Sequence, residues 1–195
     1  MRIALVAAAL VATAMPAFAH TGVGAASGFA AGFSHPLLGL DHLLAMIAVG
    51  LFAAVRGGKA LWLVPLAFIA MMVGGGTLAM AGIQLPMVEL VIALSVVVLG
   101  GAVALRASLP VAGAMALVGA FALFHGHAHG AEMPAGASAM SYAAGFVLAT
   151  AMLHGAGLAL GVAAGYGSRR VAPWAMRTAG SVMALAGVGI LAGVI

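Results

Sequence analysis

Long apolar stretches, separated by short segments that contain glycine, proline or charged residues, run along almost the whole chain. Several exceed the roughly 18 residues that mark a membrane-spanning helix, whereas barrel strands would give short segments of alternating hydrophobicity. Hydrophobic runs and helix breakers predict six spans, at residues 24–55, 60–81, 87–105, 111–125, 140–166 and 172–195. The pattern therefore predicts an all-α membrane protein built as a six-helix transmembrane bundle.

The first apolar stretch, residues 24–55, is too long for one helix perpendicular to the membrane. At a rise of about 1.5 Å per residue it would extend about 48 Å, against a hydrocarbon core of about 30 Å. Proline disfavours helical geometry at the residue before it. We therefore expect a kink or break at Ser34-His35-Pro36, which would free backbone carbonyls beside a histidine.

The N-terminus has the pattern of a signal peptide. Arg2 precedes an apolar core, the helix breaker Pro16 and the small-x-small triplet that ends at Ala19. We predict cleavage after Ala19, so that residues 1–19 are a signal peptide and residues 20–195 form one transmembrane domain. An uncleaved first helix is the alternative. A cleaved signal indicates a multi-pass protein of a bacterial inner membrane.

Composition agrees with this class and excludes others. Hydrophobic residues make up 66% of the chain and charged residues 5%, whereas soluble domains are about 45–50% apolar. The net charge is +4, but the basic residues are dispersed and form no patch of the kind that nucleic-acid binding requires. Because the chain has no cysteine, disulfides and thiolate metal sites are excluded.

The basic residues beyond the signal peptide all occur in alternate loops. They are Arg56 and Lys59 after the first span, Arg106 after the third, and Arg169, Arg170 and Arg177 around the loop after the fifth. By the positive-inside rule these loops are cytoplasmic. Both ends of the mature chain would then be periplasmic, in agreement with a cleaved signal.

Two sets of glycines at four-residue spacing predict close helix packing. The sets are Gly24, Gly28 and Gly32, and Gly157, Gly161 and Gly165. Each set forms one stripe along a helix, and such a stripe serves either packing within the chain or a homo-oligomer.

Histidines and acidic residues fall at the outer side or near the middle of the predicted spans, away from the basic loops. Ionisable side chains are costly within a membrane and usually functional, and imidazole with carboxylate suits nickel, cobalt, zinc and copper(II). The candidate metal ligands are His20, His35, Asp41, His42, Glu89, His125, His127, His129, Glu132 and His154.

Spacing limits how these residues can act together. On a continuous helix His35 and His42 share a face but stand about 10.5 Å apart, so they bind one ion together only if the helix breaks at Pro36. His125 and His129 have the four-residue spacing at which helical side chains meet. They could chelate an ion together if the segment is helical, but Gly126 and Gly130 weaken that case. The segment is expected where the fourth span meets the outer loop.

Several candidates have a plainer alternative. For His154 a hydrogen bond between helices is the more common explanation, and His127 is equally explained as a hydrated loop residue. Glu89 could cap the third span. His20 could be the first polar residue after cleavage, although its free amine and imidazole could also chelate a metal ion.

Three segments resemble the HupE/UreJ family of bacterial membrane proteins, and the likeness extends over essentially the whole chain. They are HPLLGLDHLLAMIAVG (residues 35–50), FHGHAHGAE (residues 124–132) and LHGAG (residues 153–157). The resemblance implies nickel uptake by facilitated diffusion, in permeases associated with hydrogenase or urease maturation. It also implies that the motif residues are His35, Asp41, His42, His125, His127, His129 and Glu132.

The preferred interpretation is a permease for a divalent transition-metal ion, nickel first and cobalt or zinc otherwise, with no permanently bound cofactor. His20 and the segment with His125 and His129 would capture the ion. It would then pass to the histidines and aspartate of the first span, with Glu89 and His154 nearby. The rival is an intramembrane zinc-dependent hydrolase, because three histidines and an aspartate can also hold a catalytic zinc.

Overall fold

The computed structural model describes residues 25–167 and 172–195, and these ranges form seven α-helices and no β-strand. The helices are α1 (Ala25–Leu38), α2 (Leu40–Arg56), α3 (Ala60–Met80), α4 (Val88–Ala104), α5 (Val111–Ala131), α6 (Ala139–Gly167) and α7 (Ala172–Leu191). The predicted all-α class is confirmed. The predicted signal peptide, His20, Gly24, Arg169 and Arg170 lie outside the described residues.

The apolar helices indicate a multi-pass membrane protein. By length and composition α3, α5, α6 and α7 can each cross a membrane, and α1 with α2 passes the same test as one span bent by 80°. Helix α4 is apolar but has 17 residues. The described residues therefore contain four candidate spans, or five with the bent pair, and six spans remain a prediction.

The first predicted span does break, but the predicted position of the break is wrong. Pro36 lies inside the last turn of α1, where its missing N–H removes one hydrogen bond of the helix. The chain turns at Gly39, which has extended backbone angles of φ −82° and ψ 118°. A Cβ there would lie 2.9 Å from Asp41 Oδ1 and 3.3 Å from His42 Nδ1. A residue without a side chain therefore suits this position.

Helix α5 continues to Ala131, so the prediction that this span ends near His125 is wrong. Gly126 and Gly130 do not interrupt the helix, because they allow it to pack closely against α3. A Cβ on Gly126 would collide with the backbone of Met72, and a Cβ on Gly130 would collide with α3 one turn further along. The three histidines of this segment are therefore helical and buried rather than part of a loop.

The glycine stripes pack within the chain. A Cβ on Gly32 would collide with the α6 backbone at Tyr142, and a Cβ on Gly157 with the α2 backbone at Ile47. Both α1 and α2 thus lie directly against α6. Gly165, by contrast, faces open space. A homo-oligomer through these stripes remains a prediction.

Three basic residues gather at one end of the bundle, which we call the arginine end. Arg56, the last residue of α2 before one loop, donates a hydrogen bond from Nε to the carbonyl oxygen of Leu109 in a second loop, the one before α5. Lys59 lies in the first of these loops and Arg106 in the second. Glu132 follows the opposite end of α5, so acidic and basic residues are separated along the bundle as the sequence predicted.

Candidate metal site

The break at Gly39 brings together two histidines that a continuous helix would hold apart. The ring centroids of His35 on α1 and His42 on α2 are 5.7 Å apart. His129 of α5 lies against both, with centroid distances of 4.8 Å to His35 and 4.9 Å to His42. One nitrogen from each ring lies within 4.8 Å of the other two. We call these residues the three-histidine group, and the end of the bundle that holds it the histidine end.

Two of the three imidazoles each have a carboxylate of their own beside one ring nitrogen. Asp41 Oδ1 lies 2.9 Å from His42 Nδ1, and Glu132 Oε2 lies 2.8 Å from His35 Nε2. A carboxylate oxygen only accepts, so each facing nitrogen carries the proton and the other nitrogen keeps its lone pair. His42 Nε2 is buried without a hydrogen-bond partner among the described residues. Carboxylates hold metal-binding histidines in this manner, fixing the tautomer and the ring orientation.

His129 has neither nitrogen satisfied. Both ring nitrogens are buried without a hydrogen-bond partner in the described part of the chain. Its ring stacks on Phe146 with a centroid distance of 5.0 Å and an interplanar angle of 5°. Buried polar atoms are ordinarily hydrogen-bonded. An unpartnered imidazole that stacks on Phe146 and meets the rings of His35 and His42 edge-on therefore favours a ligand at this position.

Glu132 is the most accessible acidic residue of the site. Its side chain is 51% exposed and that of its partner His35 is 30% exposed, so the three-histidine group reaches the surface here. The hydrogen bond from His35 lowers the pKa of the Glu132 carboxyl below its ordinary value, against the opposing effect of burial. The carboxylate form is thus favoured next to His35.

His125 and His154 lie deeper in the bundle. The His125 ring is 5.0 Å from that of His42, and its Nε2 lies 3.0 Å from Ser95 Oγ. Phe68 lies between the two histidines, and the centroid of its ring is 5.6 Å from that of His125 and 5.0 Å from that of His154. Both nitrogens of His154 are buried without partners among the residues described. His125 adjoins the three-histidine group, and His154 is one ring further away.

His127 and Glu89 stand apart from the three-histidine group. His127 Nε2 donates to the carbonyl oxygen of Ile83 across 2.8 Å, which ties α5 to the loop after α3. Glu89 is exposed in the first turn of α4. The structure thus brings together some of the predicted ligands and not these two. Those brought together are His35, Asp41, His42, His129 and Glu132, with His125 adjoining.

Sequence reasoning missed the residues that support the histidines. Ser95 and Phe68 contact His125, and Phe146 stacks on His129, but none of the three is among the candidates predicted from the sequence. A serine within the apolar run VIALSVVVLG is a usable signal, because a buried hydroxyl needs a partner. The aromatic residues carry no such signal, since phenylalanine is common in any apolar core.

Comparison with known proteins extends this picture. The family model described as HupE / UreJ protein matches residues 8–190 of the chain. Protein HupE of Rhizobium leguminosarum bv. viciae is 47% identical over 195 residues, which cover 99% of this chain and 100% of that protein. No solved structure matches the chain.

Proposed function

This chain belongs to the HupE/UreJ family, and on that premise we propose that it is a permease for a divalent transition-metal ion, with nickel as its main substrate. The uptake would supply hydrogenase or urease maturation, as the sequence resemblance implied. Cobalt and zinc are the next candidates, because the same ligands suit all three ions. No permanently bound cofactor is required.

The observation that carries this proposal is the three-histidine group with its two carboxylates. Three imidazole rings lie with their centroids 4.8–5.7 Å apart. Two of the rings come from α1 and α2, which are joined at the break, and the third comes from α5, which is distant in sequence. Neutral imidazole nitrogens backed by carboxylates are ligands for a borderline transition metal rather than for calcium or magnesium, which take oxygen ligands.

The exposure of the site supports passage rather than permanent storage. The ion would first meet Glu132 and His35, which are partly exposed, and then the buried His129 and His42. This replaces the capture loop expected from the sequence, since the histidines of α5 are helical. His125 would follow, and His154 lies beyond Phe68. Facilitated diffusion requires each of these binding steps to be reversible.

The finer topology belongs to the same proposal. The bent pair α1–α2 would count as the first of six spans and α4 as the third, with residues 1–19 removed as a signal peptide. The arginine end would be cytoplasmic and both ends of the mature chain periplasmic. In a bacterial inner membrane, the three-histidine group would then face the periplasm, where an incoming ion arrives.

Reconstituted liposomes with a trapped metal-sensitive dye provide the test. Wild-type protein should admit nickel, and His129→Ala should reduce the initial rate more than about 100-fold, because even residues behind the ligands contribute 10–100-fold. His127→Gln is the matched control on the same helix, since its amide can still donate to Ile83. It should retain uptake.

The same preparation separates the permease from the zinc hydrolase. A permease should move ions and hold them weakly, whereas a hydrolase should retain about one zinc per chain through purification. Wild-type liposomes that admit no nickel, cobalt or zinc would contradict the proposal. So would equal losses of uptake in His129→Ala and His127→Gln.

A further inference from the structure

Ser95 contacts both its own helix and His125. It is fully buried in α4, its Oγ lies 2.6 Å from the carbonyl oxygen of Ile92, and the same Oγ lies 3.0 Å from Nε2 of His125 on α5. Helical serines commonly bond to a carbonyl in the preceding turn. The contact with a histidine on another helix is the additional feature.

The count of protons at these contacts determines the tautomer of His125. A hydroxyl has one proton, and a carbonyl oxygen has none. Two oxygens 2.6 Å apart need a hydrogen between them, so the Ser95 proton points to Ile92. Ser95 Oγ can then only accept at its second contact, and His125 Nε2 must donate. The reverse assignment would leave a buried Nδ1–H without an acceptor, which is costly.

His125 therefore presents its Nδ1 lone pair to the bundle interior. That atom is buried and has no hydrogen-bond partner among the described residues. The His125 ring is 5.0 Å from His42, which is itself 4.9 Å from His129. Four residues along α5 amount to about 6 Å, so His125 lies one turn further from Glu132 than His129 does. His42 stands between the two.

We propose that Ser95 is a positioning residue that holds His125 as the Nε2–H tautomer, so that His125 Nδ1 and His42 bind the divalent ion when it leaves the three-histidine group. The assignment of the tautomer rests on the contacts of Ser95 and His125 and not on the proposed function. The role in ion passage rests on the function proposed above. Ser95 itself would not touch the ion.

The tautomer is tested first, on metal-free protein. In protein labelled with nitrogen-15 at histidine, two-bond nitrogen–proton correlations distinguish the tautomers, and His125→Gln identifies the signals of His125. We expect the Nε2–H form in wild type and a mixture with Nδ1–H in Ser95→Ala. Thr77→Ala is the control, because Thr77 makes the same type of bond to Gly74 without touching a histidine. Nδ1–H in wild type, or no change in Ser95→Ala, overturns the proposal.

Nickel uptake by the reconstituted full chain tests the second part. Ser95→Ala should raise KM about tenfold, the usual consequence of removing a residue behind a metal ligand. Ser95→Thr keeps the hydroxyl and should restore KM towards wild type. An unchanged KM in Ser95→Ala overturns the role in ion passage. If wild type takes up no metal while the tautomer is as expected, the proposed function fails and the assignment of Ser95 to the His125 tautomer stands.

Discussion

The histidine end and the arginine end of the bundle use two of the same helices, α2 and α5, in opposite ways. At the arginine end the polar contact lies at the surface of the bundle, between Arg56, the last residue of α2, and Leu109 in the loop before α5. The adjoining interior is apolar, with Phe52 and Val103 fully buried. At the histidine end the polar groups themselves are buried, as His125 and His129 show.

Backbone features at the histidine end explain the difference. A glycine break turns α1 against α2, and glycines let α3 and α5 touch along their backbones. Burying an unsatisfied polar group costs free energy. The described part of the chain buries five imidazoles without full hydrogen bonding, those of His42, His125, His127, His129 and His154, and therefore needs a compensating interaction. A cation bound at the three-histidine group would provide one. Among the described residues the arginine end buries no such group, so we expect it to contribute to orientation and not to metal passage.

The strongest disruption of the histidine end should come from Gly126→Ala. The added Cβ meets the backbone of Met72, which cannot move as a side chain does, so the free energy of unfolding should fall by about 3 kcal/mol. Thermal denaturation in detergent, followed by size-exclusion chromatography, measures the loss. Gly74→Ala is the control on α3, because its Cβ would meet open space. Equal melting temperatures would contradict the backbone contact.

The next largest effect should distinguish the two carboxylates. Asp41→Asn removes the charge behind His42 and should weaken nickel binding about 10–100-fold. Glu132→Gln should have a smaller effect, because its side chain is 51% exposed and that of Asp41 is 22% exposed and water can replace part of the interaction. Titration of purified protein with nickel gives both affinities. A larger loss in Glu132→Gln would reverse this order.

Gly39→Ala should alter the site without unfolding the protein. Alanine can adopt the backbone angles of Gly39, but its Cβ would displace the Asp41 carboxylate from His42. We expect nickel affinity to fall about tenfold, with an unchanged melting temperature. Gly155→Ala is the comparison beside another histidine, since a Cβ there meets nothing within 4 Å. Loss of the fold in Gly39→Ala would show that the break requires glycine for its backbone.

The smallest effect is expected at the arginine end. Arg106 has a left-handed φ of 52°, which asparagine tolerates better than arginine. Arg106→Asn should therefore raise the free energy of unfolding by about 0.5–1 kcal/mol and leave nickel uptake within about twofold of wild type. Thermal denaturation and liposome uptake check the two parts. A tenfold loss of uptake would extend the functional region to this end.

The extents of α3, α4 and α6 could be predicted closely because each is an apolar run bounded by glycine, proline or polar residues. The C-terminal end of α5 at Ala131 could not be predicted in this way. Gly126 lowers local helix propensity. Its advantage, that it lets α5 approach the backbone of α3, is visible only in the packed structure. The break at Gly39 could not be predicted for a similar reason. The absence of a side chain there is needed only because Asp41 and His42 lie hydrogen-bonded beside it.

Candidate ligands could be selected by residue type, but their partners could not. His127 and His129 are two residues apart and look equivalent in the sequence. On a helix their side chains point about 200° apart, so one reaches Ile83 and the other reaches His35 and His42. Which of the two directions leads to a ligand depends on helices that are far away along the chain.

The two carboxylates, each beside a different histidine, also determine the net charge of the site. With Asp41 and Glu132 ionised and the histidines neutral, the site has two negative charges, and one divalent cation neutralises both. A monovalent ion would leave one of them uncompensated, which is more expensive at Asp41, whose side chain is 22% exposed, than at Glu132, whose side chain is 51% exposed. Discrimination between ions of different valence would therefore arise from counter-charge, separately from the preference of imidazole for transition metals.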